Sequence, residues 1–397
     1  MINQFRKYFP IFENNPDLIY FDSAATTLKP RVVIEELQNF YNNNGMNIRS
    51  SSGLAMQNNL LIEQTRKDIS KFLNAQPKEI IFTKGATESL NMIAEMLRHF
   101  IKPGDEIITS ELEHHSCLLP WMRIAKEKQA KLIFIPLDKD YKITVDNFCQ
   151  VLSNKTKFVV LNHISNTFGY ETPIKEITYI AHQKNILVIL DAAQSITHLS
   201  IDVRDLDIDF LAFSAHKIYG PFGIGILFSK QKLLERLSPP IVGGGNVCEV
   251  NHNNFMFNEL PNKFEPGTLN IGAILALQKS LNFITTIGIN RIQQYTSNII
   301  KKIHIFLKLM PQIIVFNPQS TNMILFNFKY IHAHDIENFL NNHNIYVRTG
   351  KHCANLIMKK INQISTIRIS AGIYNNDKDI NYLISVLKKI KDLNSII

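Results

Sequence analysis

Short, continuously apolar segments alternate with helical stretches along most of the first 280 residues. These segments include EIIFT (79–83), DEIITS (105–110), KLIFIPL (131–137), KFVVLNH (157–163) and ILVIL (186–190). Unbroken apolar runs are typical of strands buried on both faces, and intervening helices are the connections that parallel strands need. The pattern predicts an α/β fold with a large, mainly parallel sheet of the seven-stranded type. Ligands of such sheets bind beyond the carboxyl ends of the strands.

The pattern changes after about residue 280. A long helical stretch leads to NMILFNF (322–328) and TIRIS (366–370), and an amphipathic helix follows. This order predicts a small α+β C-terminal domain at residues 281–397, after a large domain at 16–280 and an N-terminal segment at 1–15. The length of 397 residues favours two domains over one.

The composition is that of an ordinary globular protein, with 45% hydrophobic and 19% charged residues. No apolar run reaches the ~18 residues that a membrane helix needs, and the first residues contain no hydrophobic signal core. We therefore expect a cytoplasmic protein without a membrane partner. The formal net charge is +9, but the lysines are spread along the chain, so we expect no nucleic-acid partner.

The four cysteines show neither a paired spacing nor a metal-ligand spacing. In a cytoplasmic chain such cysteines are reduced thiols, and we expect no disulfide and no bound metal. Cys117, Cys149 and Cys248 are expected to be packing residues. Cys353 differs because it ends the loop segment RTGKHC (348–353), where an exposed thiol beside His352 and other basic side chains has nucleophilic character.

A lysine and an acidic residue each follow an apolar strand. The stretch 209–228 reads DFLAFSAHKIYGPFGIGILF and contains Lys217 just after its first strand, while Asp191 follows ILVIL. Pyridoxal phosphate needs such a pair, because the amine forms a Schiff base and the carboxylate keeps the pyridine nitrogen protonated. Either residue alone would be read as a surface lysine or a helix-capping aspartate. Their order along two strands favours a pyridoxal phosphate site.

Other polar residues follow strands at the same predicted sheet edge. Backbone N–H groups at the helix start after Gly85 can bind a phosphate, and an imidazole can stack on a pyridine ring and move protons. Hydroxyl and amide groups can bind the phosphate or the ring oxygen. The residues with these capacities are Thr87, His114, Asn166, Gln194, Ser214 and His216.

Two arginines in the C-terminal region are candidates for binding a carboxylate. Arg348 opens the segment RTGKHC, and Arg368 lies on the predicted strand TIRIS. The guanidinium fork can bond both oxygens of a carboxylate in one plane. We therefore expect the C-terminal domain to bind the carboxylate of a small substrate.

The chain resembles a known family over nearly its whole length. The motifs that carry the resemblance are YFDSAATTLKP, FTKGATES, LEHHSCLLPW, NHISNTFG, LDAAQS, FSAHKIYGPFGIGIL, GGG (243–245), FEPGTLN, VRTGKHCA and IRISAGIYN. Together they resemble the class V, fold-type I pyridoxal-phosphate enzymes, and in particular the SufS-type cysteine desulfurases, also called selenocysteine lyases. The RTGKHCA block is similar to that branch and differs from the desulfurases whose thiol lies on a longer, serine-rich loop.

The resemblance implies the catalytic roles. Lys217 would form the Schiff base, Asp191 would pair with the pyridinium nitrogen, and His114 would stack on the ring. Cys353 would attack the sulfur of bound L-cysteine and keep it as a persulfide, leaving alanine. A SufE-like protein would accept the sulfur for iron–sulfur cluster assembly.

The resemblance also implies the binding roles. Gln194 would contact the phenolic oxygen of the cofactor, Asn166 would help to fix substrate and cofactor, and Arg368 would hold the substrate carboxylate, with Arg348 as the next candidate. Because one phosphate ligand would come from the neighbouring subunit, the enzyme would be a homodimer. The phosphate ligands would be Ala86, Thr87, Ser214, His216 and, across the interface, Thr268.

The chain departs from the family pattern at three places. Residues 48–52, Ile-Arg-Ser-Ser-Ser, stand where the family has His-Arg-Gly-x-His; Ala86 replaces a threonine, and Lys351 replaces a histidine. Two alternatives to a cysteine desulfurase stay open. One is another class V enzyme, such as an epimerase or a lyase for selenocysteine only, and the other is a scaffold that binds sulfur-transfer partners without catalysis. The presence of Cys353, Lys217 and Asp191 favours the desulfurase.

Overall fold

The computed structural model describes residues 5–393, so residues 1–4 of the predicted N-terminal segment lie outside the described part. The strands are β1 (Ile19–Tyr20), β2 (Ile80–Thr83), β3 (Glu106–Thr109), β4 (Lys131–Phe134), β5 (Thr156–Asn162), β6 (Leu187–Asp191), β7 (Phe210–Ser214), β8 (Gly225–Ser229), β9 (Val247–Val250), β10 (Phe255–Phe257), β11 (Ile313–Val315), β12 (Met323–Phe328), β13 (Ile345–Tyr346), β14 (Arg348–Gly350) and β15 (Thr366–Ser370).

The α-helices occupy most of the chain between these strands. They are α1 (Ile11–Asn14), α2 (Arg31–Asn43), α3 (Gly53–Leu73), α4 (Ala86–Leu97), α5 (His115–Lys128), α6 (Val145–Val151), α7 (Ile174–His182), α8 (Gln231–Arg236), α9 (Ile271–Ile287), α10 (Ile289–Lys308), α11 (Ala333–Asn341), α12 (Asn355–Lys360) and α13 (Asp377–Leu393).

The large sheet has seven strands in the order β2-β8-β7-β6-β5-β3-β4. The five strands from β7 to β4 are parallel to their neighbours, whereas β8 runs antiparallel to both β7 and β2. The predicted fold is therefore confirmed: a mainly parallel, seven-stranded α/β sheet of the fold-type I class. The carboxyl ends of β5, β6 and β7 lie side by side at one edge.

Both faces of this sheet are covered, as the unbroken apolar runs predicted. Along β5, Val159 and Leu161 belong to one buried apolar cluster, and Phe158 and Val160 belong to another. Successive side chains of a strand point to opposite faces, so the two clusters are the cores on the two sides of the sheet. Burial on both sides fixes the register of the strands, because a slip of one residue would exchange the two faces.

The C-terminal region forms a smaller antiparallel sheet in the order β11-β12-β15-β14, with its own apolar core. This confirms the predicted small C-terminal sheet domain. The N-terminal part of the chain joins this region, because β1 pairs with β13 and Phe21 lies in the same core. The predicted boundary between residues 280 and 281 falls inside helix α9. The division of the chain at that boundary stays a prediction.

Within residues 5–393, we find no single helix with the length and apolarity to cross a membrane. Helices α9 and α10 meet these criteria only as a pair, and the chain bends by 77° between them. Many residues of α9 are buried against the core of the large sheet.

Candidate active site

A cavity of about 470 Å³ lies where the carboxyl ends of β5, β6 and β7 face the C-terminal sheet. All but one of the residues that we predicted to form the site line it. These residues are Ala86, Thr87, His114, Asn166, Asp191, Gln194, Ser214, His216, Lys217, Arg348, Cys353 and Arg368. The exception is Thr268, which is exposed and lines a separate groove.

Asp191 and Lys217 follow neighbouring strands. Asp191 ends β6, is 5% exposed, and accepts a hydrogen bond of 2.9 Å from the Ala193 backbone N–H. Burial raises the pKa of Asp191, and the nearby Lys217 amine acts in the opposite direction. Burial lowers the pKa of Lys217, partly offset by Asp191. The site thus favours the neutral amine, which is the form that attacks a carbonyl group.

The start of α4 provides a site for an anion. The Ala86 backbone N–H donates to the Ser214 hydroxyl over 2.7 Å, which leaves the hydroxyl proton of Ser214 available for a ligand. The Thr87 and Ser116 hydroxyls lie 2.7 Å apart. Strand β8 packs closely against the residue before this helix, since a Cβ on Gly225 would lie 2.4 Å from the Gly85 Cα. Backbone N–H groups at a helix start, together with hydroxyls, bind phosphate well.

His114 is neutral in this site. Burial, with a smaller contribution from Lys217, lowers the pKa of His114 to about 4. Its Nδ1 accepts a hydrogen bond of 3.1 Å from the Ser116 backbone N–H, so the ring proton lies on Nε2. A flat, uncharged imidazole is suited to stacking on an aromatic ring, and the Nε2 proton can be donated.

Arg368 is buried, 3% exposed, and already has two partners. One terminal nitrogen donates to the Asn166 backbone oxygen at 2.8 Å, and the other donates to an Asp22 carboxylate oxygen at 2.9 Å. Burial raises the pKa of Asp22, and Arg368 acts against this rise. Asp22 lies in the motif YFDSAATTLKP, but its role could not be predicted from the sequence, because nothing local indicates a partner 346 residues away.

Cys353 is exposed. Two backbone oxygens of its loop accept hydrogen bonds from residues near the large sheet. The Cys353 backbone oxygen accepts from the His115 N–H at 2.8 Å, and the His352 oxygen accepts from the Asn166 side chain at 2.8 Å. His352 and Cys353 both have φ of +53°. The segment RTGKHC is only partly a loop, since residues 348–350 form β14.

His352 does not supply the positive charge that was expected beside Cys353. This imidazole is 7% exposed, and its Nε2 lies 2.9 Å from the Thr366 hydroxyl. Burial, followed by the charges of Arg368 and Arg348, lowers the pKa of His352 well below its usual range. The ring is therefore neutral at pH 7, and it positions the loop instead of supplying a positive charge. Lys351 is exposed, and its expected effect on Cys353 stays a prediction.

Only one of the other three cysteines is buried as a packing residue should be. Cys117 is buried as expected, but Cys149 and Cys248 are exposed. Cys149 lies on the solvent side of α6, and Cys248 lies on the two-stranded β9–β10 ribbon. The short helix and the isolated ribbon each have a face that the core does not cover, so the expectation was wrong for these two.

The polar groups of the cavity fit pyridoxal phosphate and an amino acid. Five buried polar atoms of lining residues have no hydrogen-bond partner within residues 5–393: Asn162 Oδ1, Asn166 Oδ1, His216 Nδ1, His352 Nδ1 and Arg368 Nε. Buried polar atoms are normally paired, so these atoms are suited to a bound ligand. The carboxylate of Asp191 suits a ring nitrogen, and the start of α4 suits a phosphate. Asn162 also lines the cavity, although no sequence pattern had indicated it.

Comparisons with known proteins agree with this geometry. Residues 19–383 match the family described as aminotransferase class-V. The chain is 36% identical to a probable cysteine desulfurase of Halalkalibacterium halodurans, over 98% of both chains. It is 36% identical to a cysteine desulfurase of Wigglesworthia glossinidia brevipalpis, over 98% of this chain and 97% of that one.

A solved structure is similar over the same extent. The cysteine desulfurase CsdA of Escherichia coli superposes with a TM-score of 0.93 at 34% identity, covering 98% of each chain. The predicted family, fold, cofactor and enzyme class are confirmed. The chain belongs to the class-V aminotransferase family and is a pyridoxal-phosphate-dependent cysteine desulfurase of the CsdA and SufS type.

Proposed function

We propose that this enzyme converts L-cysteine to L-alanine by moving the sulfur atom onto Cys353. In this reaction the Cβ–S bond of cysteine breaks and an S–S bond forms, so cysteine and one enzyme thiol give alanine and one persulfide. The observation that supports the proposal is that the exposed Cys353 lines the same cavity as the half-buried Lys217 and the buried Arg368. A thiol there can reach a substrate bound between the amine and the guanidinium.

Each residue of the site has a different role in the proposed reaction. Pyridoxal phosphate supplies the electron sink when it is bound. Lys217 would hold the cofactor covalently, and the Asp191 carboxylate would stabilise a positive charge on the ring nitrogen. Arg368 would orient the substrate carboxylate, and Asn166, which bonds the Cys353 loop, would fix the thiol relative to the substrate. Neutral His114, with its proton at Nε2, would pack against the ring and could donate that proton.

The proposal is tested with the purified holoenzyme. L-cysteine should change the visible absorption of the bound cofactor, release alanine, and add one sulfur atom to the peptide that contains Cys353, measured by mass spectrometry. Alanine without a sulfur on that peptide would contradict the proposed route. L-alanine and L-serine are suitable control ligands because they bind through the same carboxylate and amine but carry no sulfur.

Selenocysteine is a second candidate substrate. Its carbon–selenium bond is weaker than the carbon–sulfur bond, so we expect its cleavage to depend less on Cys353. The epimerase alternative is disfavoured by the same thiol, and the non-catalytic scaffold is disfavoured because Lys217, Asp191 and Cys353 share one cavity.

Replacing Asp191 by Asn is expected to lower the rate constant kcat by roughly 100-fold, because an amide cannot hold the positive charge that a carboxylate stabilises. The cofactor should still bind, since its phosphate and its bond to Lys217 are untouched. Rates with cysteine and the cofactor content by absorption measure the two effects. Activity within a few-fold of the wild type would reject this role for Asp191.

Replacing Arg368 by Lys is expected to raise the KM for cysteine by about 10- to 100-fold, since a charged hydrogen bond contributes ~1.5–3 kcal/mol. Lysine keeps the charge but loses the planar fork that also holds Asp22. Steady-state kinetics give the change in KM and kcat separately. The control is Arg348→Lys, and a rise in KM only in that variant would move the carboxylate site to Arg348.

We infer that the enzyme works as a homodimer in which Thr268 binds the phosphate of the neighbouring subunit. Thr268 is exposed beside the apolar side chains of Ile241 and Val242, which are 48% and 52% exposed. Arg49, in the segment that departs from the family pattern, bonds the backbone oxygens of Gly244 and Gly267 next to this groove. A second copy would cover these groups.

We expect the dimer to persist at micromolar concentration. Light scattering should then give a mass twice that of the chain. Thr268→Ala should weaken cofactor binding while leaving the mass unchanged, because the hydroxyl is a ligand and the apolar side chains form the contact. An active monomer would contradict the composite site.

The persulfide sulfur is proposed to pass to a SufE-like acceptor for iron–sulfur cluster assembly in the cytoplasm. The exposed position of Cys353 supports transfer to another protein, since an acceptor thiol can approach it from solvent. Adding such an acceptor should raise the steady-state rate of alanine release, because it removes the sulfur that would otherwise block the next turnover.

A further inference from the structure

A second carboxyl group is buried beside Asp191. Glu113 is 1% exposed and precedes His114 in the turn after β3. Its Oε1 accepts from the Ser110 hydroxyl at 2.6 Å and from the Asn162 side-chain amide at 2.8 Å. Its Oε2 accepts no hydrogen bond from a nitrogen or oxygen donor within residues 5–393. None of the roles described above uses this group.

The contacts of Glu113 join two parts of the active site. Asn162 ends β5, lies opposite Asp191 in the register of β5 and β6, and lines the cavity. The same Asn162 amide also donates to the Leu112 backbone oxygen at 3.3 Å, in the turn that leads to His114. One carboxyl oxygen of Glu113 therefore connects the turn that carries His114 to the strand end beside Asp191.

We propose that Glu113 is a positioning residue that works as a neutral acid, holding Asn162 and the His114 turn while Asp191 remains the only anion under the pyridine ring. Asp191 and Glu113 are both buried, and Asn162 lies between them in the hydrogen-bond and strand pairing. Two anions at these positions would repel each other, so Glu113, which does not line the cavity, takes up a proton. The two carboxyls are then pushed to different protonation states by their surroundings.

The electrostatic surroundings agree with this assignment. Burial raises the pKa of Glu113 to about 8, the Asp191 charge adds to the rise, and the bonds from Ser110, Asn162 and the Cys117 thiol oppose it. The titratable groups that face Glu113 are Asp191 on β6 and Cys117 on α5, and burial raises the pKa of that thiol well above its usual value. Below pH 8 Glu113 is neutral, and above it the carboxylate forms.

The experiment observes this proton directly in the holoenzyme. Infrared spectra of protein with ¹³C-labelled and unlabelled glutamate are compared at pH 6.5 for the wild type and for Glu113→Gln. We expect an isotope-sensitive carbonyl band of a protonated carboxylic acid in the wild type and its loss in the variant. Absence of the band from the wild type, or its persistence in the variant, would overturn the proposal. The measurement needs no turnover, so it is independent of the proposed sulfur route.

The visible absorption of the bound cofactor tests a second consequence of the proposal, namely the ionisation of Glu113 at higher pH. As the pH rises through about 8, ionised Glu113 places another negative charge near the ring, so the visible band of bound pyridoxal phosphate should shift in the wild type. The shift should be missing in Glu113→Gln and present in the control Glu111→Gln, whose half-buried carboxylate pairs with Lys360. An identical shift in all three proteins would assign it to another group and overturn the proposal.

The positioning role predicts which substitution is tolerated better. Glutamine keeps an oxygen acceptor for Asn162 and Ser110, whereas leucine leaves the Ser110 hydroxyl and one N–H of the Asn162 amide without this acceptor. We expect kcat of Glu113→Leu to be about tenfold below that of Glu113→Gln, the effect of leaving a buried donor without a partner. Equal values for the two variants would mean that the bonds to Asn162 and Ser110 do not position the site.

Discussion

Replacing Lys217 by Ala is expected to abolish the covalent bond between protein and cofactor and to lower turnover by roughly 10⁴-fold or more, as when other enzymes lose a catalytic nucleophile. The reason is the position of the amine: it follows β7, it lies next to Asp191, and burial lowers its pKa so that the neutral form is available. Methyl or ethyl amines of similar shape should restore part of the activity if the amine alone is missing.

Reduction with borohydride followed by mass spectrometry identifies the residue that carries the cofactor. In the wild type the mass of the reduced cofactor should appear on the peptide with Lys217. The matched control is Lys84→Ala, which removes an exposed lysine next to the start of α4 and should leave the label on Lys217. A label on another lysine of the wild type would show that the cofactor is attached elsewhere.

Replacing Cys353 by Ser is the second large effect that we expect. Alanine formation from cysteine should fall by roughly 10³-fold or more, because the hydroxyl cannot accept the sulfur atom. The visible absorption of the bound cofactor should be unchanged, and cysteine should still alter it, since the thiol does not hold the cofactor. Cleavage of selenocysteine should survive to a larger extent than cleavage of cysteine.

The exposed cysteines provide the controls for this variant. Cys149→Ser and Cys248→Ser remove thiols that are also exposed but do not line the cavity. Both should keep normal alanine release and a sulfur atom on the peptide that contains Cys353. Normal alanine release in Cys353→Ser, with ³⁵S on another cysteine, would disprove the proposed sulfur acceptor.

The sequence predicted the features that depend on where strands end. Parallel strands bring their carboxyl ends to one edge, so Asp191 and Lys217 could be expected together from their order along the chain, and the structure brings both to one cavity. The predicted roles of the individual residues stay predictions. Their common location follows from a local pattern, namely a polar residue directly after a buried strand.

Features that depend on contacts between distant segments could not be predicted in this way. The pairing of Arg368 with Asp22 and the pairing of β1 with β13 join the two ends of the chain. The burial of His352, which makes the ring neutral, results from packing against Thr366 and is not encoded in the segment RTGKHC. Glu113 belongs to the motif LEHHSCLLPW, but only its burial in the structure distinguishes it from a surface acid.

The pairing of Arg368 with Asp22 has a consequence for the choice of substrate. The guanidinium is ordered by the protein itself, so an arriving amino acid does not have to restrict a long, mobile side chain. The positive charge is also balanced in advance, which weakens the general attraction of the pocket for anions. Phosphate, sulfate and dicarboxylates in the cell would therefore gain little here from charge alone. If Arg368 binds the substrate carboxylate as proposed, we expect the geometry of its hydrogen bonds to decide which ligand binds, which favours a small zwitterion without net charge.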